Sequence, residues 1–482
     1  MRLGRFLPDA AAVASSQYLA RAVVMARGLV AAAALGPFGY GGWNALNLIF
    51  DYGSYAAVGA IQGLDLRLPA AVERGERPEA RRLMAGAWSV TIAGGCVFSA
   101  AIAAYLGAGR RAFAAAPGAD LPLLMLGAAL FQLAYQYGNS SLRAQGRIQT
   151  ASLANAIQAL VGGGLGMALV WAYGIRGMLW GWNAGSALGW LVLRRGSREI
   201  PWTPAAPRTG LGLARTGFPM FAFFVATLLL RSVDRLALLR FGTPDALGLY
   251  SLGLMAASLV TLLPEAAAYV MLPRLASAAL GARDAARTQE EAVRVQRAIA
   301  LFLPPLVGVG IALIEPAVAQ LLPSYRAGMP ALRLLAIGAV LLAAGTIPAY
   351  ALLAAGGRGR LLAIGFGGAA LNAALVSGVA SRAPRPDAVA LAAGAGFTLV
   401  SLAMVLGVAR MWCEGTAARA RLLAASFVPP AWGALLTLAV CRAGDGSAWS
   451  VALVRAAALL AAYAPAVAFF GRGLGLRRLG RG

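Results

Sequence analysis

Residues 228–250 read LLLRSVDRLALLRFGTPDALGLY, an apolar run that carries Arg231, Asp234, Arg235 and Arg240. A charged side chain near the middle of a membrane helix costs about 2.5–3.5 kcal/mol on insertion scales, so each of these groups needs a reason. Arg231, Asp234 and Arg235 are spaced i, i+3, i+4, which puts them on one helical face that must look into protein or water. Arg240 falls at the end of the run, where a long stem lets the guanidinium reach the headgroups. A second set lies near the N-terminus: Arg21 and Arg27 are six residues apart on an apolar segment. Six residues turn a helix by about 600°, so the two stems diverge by roughly 120°, which their length can bridge into one cavity. Guanidinium is the group best suited to phosphate, because its planar fork meets two oxygens and never loses its proton in a protein. Two readings follow: Arg21, Arg27, Arg231 and Arg235 line a cationic cavity for a pyrophosphate, or they are locked in ion pairs that hold helices together. In the second, Asp234 serves Arg231 and Asp51 serves Arg27. Asp51, Asp234, Glu265 and Glu315 are the carboxylates available as charge partners or as sites for a coupling ion. Glu265 follows Pro264, which would bend its helix and free backbone carbonyls. Arg333 and Arg455 lie near expected span ends and are read as snorkelling.

The chain that must position these groups has 482 residues, 60% hydrophobic and 12% charged, with a mean hydropathy of +0.71. Soluble domains carry about 25% charged residues. Apolar runs of about 20 residues, enough to cross a bilayer, recur along the whole length. The expected class is an all-α polytopic membrane protein of about 14 transmembrane helices, over 12–35, 43–64, 83–107, 121–138, 150–173, 177–193, 215–241, 248–272, 298–321, 331–354, 361–380, 388–409, 422–441 and 450–470. Net charge is +24, and all 42 basic residues are arginine. They favour one side of the expected membrane by roughly four to one, which sets both termini in the cytoplasm and leaves no call for nucleic acid. Arg21 and Arg27 interrupt what would be the core of a signal peptide, so the first span is read as retained. Cys96, Cys413 and Cys441 have no metal-binding spacing and are read as packing residues. No metal or cofactor is expected. There is no histidine, no pair of carboxylates on one accessible loop, and no outer loop longer than about 107–120, which argues against a catalytic site.

Landmarks repeat along the chain. Arg27 aligns with Arg235, Gly39 with Gly248, Arg67 with Arg274 and Arg147 with Arg358, all at offsets of 207–211. The expectation is a duplication of six spans: an N-terminal lobe over 1–210, a C-terminal lobe over 211–421 related by a pseudo-twofold along the membrane normal, and two additional helices over 422–482. Arg27 and Arg235 should then face each other where the lobes meet. The polar segment RRGSREIPWTPAAPRTG (194–210) reads as the linker. RLPAAVERGERPEARR (67–82) and GARDAARTQEEAVRVQR (281–297) read as short surface helices, the second with Glu290 placed to pair with Arg294. Gly177, Gly181, Gly185 and Gly189 form an every-fourth glycine face that lets another helix approach closely in lipid.

RGLVAAAALGPFGYGGW after an arginine-bearing first span, VDRLALLRFGTPDALGLYSLGL, LPRLASA, and LLPSYRAGMPALRLLAIGAV followed by LLAAGGRGR and Asn372 together resemble the bacterial polysaccharide and oligosaccharide flippases. These are members of the multidrug/oligosaccharidyl-lipid/polysaccharide (MOP) exporter superfamily, and the resemblance covers nearly the whole chain. It implies two six-helix lobes, a V-shaped cavity, and alternating access for an undecaprenyl-pyrophosphate-linked oligosaccharide moved from the cytoplasmic to the periplasmic leaflet. The related lipid II flippases also carry arginines on the first span, which Arg21 and Arg27 match in spacing. Asp51 stands where an arginine of those proteins is expected on the second span, which favours an exopolysaccharide or O-antigen unit. The implied setting is the bacterial inner membrane, with the bilayer, the lipid-linked oligosaccharide, and a polysaccharide polymerase or glycosyltransferases as partners. The alternative within the superfamily is a cation-coupled multidrug antiporter.

Overall fold

The structure is a computed structural model and describes residues 3–108, 120–279, 281, 284–442 and 447–471. Among these residues there is no strand, and eleven helical stretches are long and apolar enough to cross a membrane. The all-α membrane class follows, while a count of fourteen crossings does not follow from length and apolarity. In chain order the helices are α1 (Leu3–Gly53), α2 (Ala60–Glu73), α3 (Arg77–Gly107), α4 (Leu121–Ala144), α5 (Ile148–Gly196), α6 (Pro207–Phe241) and α7 (Pro244–Ala279). They continue with α8 (Ala285–Leu321), a 3₁₀ turn (Pro323–Gly328), α9 (Met329–Ala343), α10 (Thr346–Ala354), α11 (Arg358–Ala380), α12 (Pro386–Trp412), α13 (Thr416–Arg442) and α14 (Trp449–Phe470). The expected outer loop at 107–120 lies mostly outside the described residues.

Two of these helices are too long for one crossing. α1 has 51 residues and α5 has 49, or about 75 Å of helix against about 30 Å of hydrocarbon. Each is broken by a glycine in a conformation that a side chain would disfavour: Gly36 at φ 64°, ψ 179°, and Gly174 at φ 57°, ψ −136°. Pro37 reinforces the first break, since the residue before a proline is driven out of the helical region. Both helices double back. In α1 the Arg27 guanidinium carbon comes within 5.5 Å of the Trp43 ring, whereas a straight helix would separate those residues by about 24 Å. In α5 a Cβ added to Gly177 would strike the Leu169 carbonyl, one on Gly181 the Gly166 backbone, and one on Gly185 the Gly162 backbone. A Cβ on Gly189 would sit 3.0 Å from that of Gln158. The glycine face is therefore where the two arms of α5 press together. The first arms of α1 and α5 run side by side, with Gly163 against Val23 and Gly174 against Leu35.

Several expected boundaries are corrected. The second span, expected over 43–64, ends with α1 at Gly53, and the chain turns through 54–59 into α2. Segment 67–82 is not one helix: Gly75, at φ 73°, separates the end of α2 from the start of α3. Segment 281–297 is not a separate surface helix either, because from Ala285 it is the first part of α8, capped by the Asp284 carboxylate on the Arg287 amide at 3.2 Å. The i,i+4 pair formed there is Arg287 with Glu291 at 3.8 Å, and Arg274 reaches the same carboxylate at 3.4 Å. Cys441 is buried as a packing residue should be, but Cys96 is exposed on α3.

Contacts divide the chain into two units, residues 1–228 and 229–482, with the boundary inside α6. Two pairs of helix starts share one offset: α8 at 285 begins 208 residues after α3 at 77, and α9 at 329 begins 208 after α4 at 121. In the first unit Leu64, Leu68, Leu133, Leu142, Leu193 and Leu213 are buried in one core. The linker packs against this core. Trp202 sets its ring against Trp88, Tyr137 and Trp190 at 5.1–5.7 Å. Around it Tyr137 donates to the Pro201 carbonyl at 2.6 Å, Trp88 to the Trp202 carbonyl at 2.7 Å, and Ser89 to the Ala205 carbonyl at 2.7 Å. In the second unit Gly338 of α9 meets Gly394 of α12, and the two last helices dock on α8 through Gly308 with Thr437 and Leu459, and Gly433 with Pro304.

Two predictions follow from this packing. Gly181→Val forces a side chain into the α5 arm junction, and should lower stability by at least about 2 kcal/mol. Gly164→Val, at a position open to its surroundings, should leave the melting temperature of purified protein unchanged. Trp202→Ala should cost about 3 kcal/mol, since it removes the ring against which Trp88, Tyr137 and Trp190 all pack. Limited proteolysis within 194–210 should become faster in that variant.

Candidate functional site

Arg27 projects from the first arm of α1 across the first arm of α5, with its Cδ 3.8 Å from a Cβ position on Gly166. Its guanidinium carbon lies 4.2 Å from the Trp182 ring centroid and 5.5 Å from that of Trp43. Trp182 is braced by Phe50 at 4.4 Å and by Trp43 at 5.5 Å between centroids, and Asn44 of the same arm caps the Tyr40 carbonyl at 2.9 Å. Among the described residues no carboxylate lies within ion-pairing distance of Arg27. A π face attracts a cation by about 0.5–2 kcal/mol but supplies no oxygen acceptor, so the charge is held in place and not neutralised. Arg21, less than two turns earlier, is exposed, and Asp51 near the end of α1 is half-buried.

In α6 the charged face divides. Arg231 extends to Glu265 of α7, with 2.9 Å between Nη2 and Oε1 and about a third of each side chain exposed. Asp234 does not pair with Arg231. It is fully buried, accepts the Tyr250 hydroxyl at 2.5 Å, and accepts the Arg235 backbone amide at 2.8 Å. The α6–α7 connection is short enough to bring Tyr250 back onto that turn, so two neutral donors meet the carboxylate, with the Arg235 charge close enough to act on it. Arg235 itself is half-buried. Asn372 of α11 donates to the Leu230 carbonyl of α6 at 2.9 Å, a bond within the second unit one turn before this cluster. Arg240 is exposed beside Phe241, its guanidinium carbon 5.5 Å from that ring, as a residue at a span end should be.

Arg333 and Arg455 do not snorkel. Both converge on Glu315 of α8: Arg333 from α9 at 2.5 Å and Arg455 from α14 at 2.7 Å. The three side chains are 19%, 4% and 15% exposed for Arg333, Arg455 and Glu315. Arg455 reaches the Cys441 carbonyl of α13 as well, at 3.4 Å. A buried arginine needs a carboxylate more than it needs the headgroups when its stem points inward. Glu315 thus joins α9 and α14 to α8 within the second unit. At the loop before α4, Asp120 is gripped by Arg176 through two bonds of 2.8 Å, and this hydrogen bonding holds its carboxyl below the usual range.

A family model described as polysaccharide biosynthesis protein matches residues 75–325, just over half of the chain. The chain belongs to that family. No curated protein matches it. Among solved structures it is similar to a lipid II flippase MurJ in an inward closed conformation, at a TM-score of 0.72 and 15% identity, over 96% of this chain and 99% of that one. It is also similar to a multidrug resistance MATE family transporter of the MOP superfamily. The inward-facing form gives 0.65 at 17% identity over 84% and 94% of the two chains, and the outward-facing form 0.56 at 17% over 86% and 96%. This polysaccharide biosynthesis family member accordingly shares the fold of those structures.

What the residues alone did not reveal in this family member are the partners of its arginines. Trp43 and Trp182 carry no visible link to Arg27 until both helices fold back, although the Gly36-Pro37 break signals one reversal. Glu315, Arg333 and Arg455 are far apart in sequence and share no spacing pattern. Their union yields a direct test. Glu315→Ala leaves two buried guanidinium groups without an anion and should cost about 3–5 kcal/mol, read as loss of monodisperse protein and of thermal stability. Glu76→Ala, which breaks an exposed pair with Arg74, should cost less than about 1 kcal/mol.

Proposed function

We propose that this protein is a flippase that carries an undecaprenyl-pyrophosphate-linked oligosaccharide from the cytoplasmic to the periplasmic leaflet of a bacterial inner membrane by alternating access, for surface polysaccharide synthesis. Arg21, Arg27, Arg231 and Arg235 are the groups assigned to the pyrophosphate. The observation that carries the reading is Arg27: a guanidinium held on two indole rings with no protein carboxylate beside it among the described residues. Such a group keeps its positive field for an anionic ligand. Arg231 shares its charge with Glu265, so it would bind by exchanging that partner for phosphate oxygen. Membership of a polysaccharide biosynthesis family supports a glycan cargo. Glycosyltransferases that build the lipid-linked unit and a polymerase that consumes it are the partners this reading calls for, with both termini in the cytoplasm.

A multidrug antiporter is the second reading, favoured by the likeness of fold to the MATE transporters. An organic cation, however, would be repelled by an uncompensated Arg27.

Arg27→Ala should reduce surface glycan at least about tenfold, the loss of one charge-assisted contact, at unchanged expression. Arg27→Lys should recover only part of it, because an ammonium lacks the planar fork. Normal surface glycan in a well-expressed Arg27→Ala strain, together with drug sensitivity on deletion of the protein, would overturn the flippase reading in favour of the antiporter.

A further inference from the structure

A cavity of about 360 Å³ lies wholly within the N-terminal unit. Three helices each turn one stripe toward it. α2 supplies Gln62 and Asp65, spaced i, i+3, and α4 supplies Tyr135, Asn139 and Arg143, spaced i, i+4, i+8. α5 adds Ser152 and Asn155 from its first turns, while Tyr55 and Phe224 give an aromatic wall. Polar groups in a membrane unit are costly unless they meet water or a ligand, and here they gather on one concave surface.

The wall is charge-balanced. Asp65 accepts the Ser140 hydroxyl at 2.6 Å and Arg143 at 3.3 Å, and Asn139 donates to the Tyr135 hydroxyl at 3.1 Å. These bonds use part of what the groups offer, since a primary amide has two donors and an acceptor with two lone pairs. A pyrophosphate in this cavity would meet Asp65, and an organic cation would meet Arg143. What fits amides and hydroxyls that both donate and accept, beside an aromatic face, is an uncharged polyol with apolar C–H patches. The volume falls in the lower part of the range for small-molecule sites, about 300–1,000 Å³. We infer that this cavity is a subsite for neutral sugar residues of the transported glycan, separate from the arginines that take the pyrophosphate. The inference rests on the flippase reading.

The test is saturation-transfer NMR on purified protein in a sugar-free amphiphile, with glucose, galactose, rhamnose and N-acetylglucosamine as probes and inorganic pyrophosphate as competitor. At least one sugar should receive saturation, and Gln62→Leu and Asn139→Leu should each weaken its binding about fivefold or more, as loss of a hydrogen bond does. Pyrophosphate should not compete, and Arg27→Ala should keep the sugar signal. Both variants are checked by thermal melting, and Gln62, on a different helix and only half-buried, serves if Asn139→Leu fails to fold. Absence of transfer from every sugar, transfer of equal strength in the folded variants, or displacement by pyrophosphate would make the cavity a hydrated vestibule only and overturn the subsite. The surface-glycan phenotype of Arg27→Ala decides the flippase reading independently of this result.

Discussion

A guanidinium inside a bilayer needs something other than water to stabilise it, and that requirement organises much of this protein. The chain meets it in three chemically different ways. Arg27 rests on the π faces of Trp43 and Trp182. Arg231 meets a half-exposed carboxylate, Glu265. Arg333 and Arg455 share one buried carboxylate, Glu315. The consequences differ in kind. A shared buried carboxylate fixes helices, because separating its members strands a charge in low dielectric. A half-exposed pair can exchange partners at modest cost. An aromatic cradle localises the charge without cancelling it.

Holding Arg27 against Trp182 requires α1 and α5 to lie in contact and each to reverse within a few residues. Glycine makes both possible. Gly36 and Gly174 take backbone conformations that would strain a side chain, and Gly177, Gly181 and Gly185 let the arms of α5 meet backbone to backbone. In lipid the helices gain little from hiding apolar surface, so close approach and the dispersion contacts it allows have to supply the cohesion. The glycine spacing thus sets the position of Trp182, and through it the environment of Arg27.

Membrane class, the doubling back of the fifth and sixth spans, and the glycine face were legible because each depends on local pattern: run length, a short break, and period four. The offset of the paired landmarks has a counterpart in the helix order, since α3 and α8 start 208 residues apart. Ion partners were not legible. Asp234 sits three residues from Arg231 on the same face, yet its oxygens go to Tyr250 and to a backbone amide, since the two-residue turn between α6 and α7 returns a tyrosine to the same level. Arg333 and Arg455 sit near span ends, where a one-dimensional reading sends long stems outward; which way a stem points depends on the neighbouring helix, and Glu315 is on that neighbour. Segment 281–297 looked like a surface helix because it is charged, but charge does not end a helix. Among the residues of 285–297 there is neither proline nor glycine, so the backbone runs on into the apolar part of α8.

The same logic separates two kinds of polarity in the N-terminal unit. Gln62, Asp65, Asn139 and Arg143 balance one another around a concave space, so their combined field is small and their directional hydrogen bonds dominate. Arg27 stands apart from them as a single positive charge on aromatic rings, so its field dominates and direction matters less. A cargo with a charged pyrophosphate at one end and uncharged hydroxyl-rich rings at the other would need both kinds of surface. A drug cation needs neither. Electrostatic attraction between fixed arginines and pyrophosphate does not depend on which sugar is attached, whereas amides and hydroxyls discriminate by position of each hydroxyl. In such an arrangement affinity would come mainly from the arginines and selectivity mainly from the amide-lined cavity.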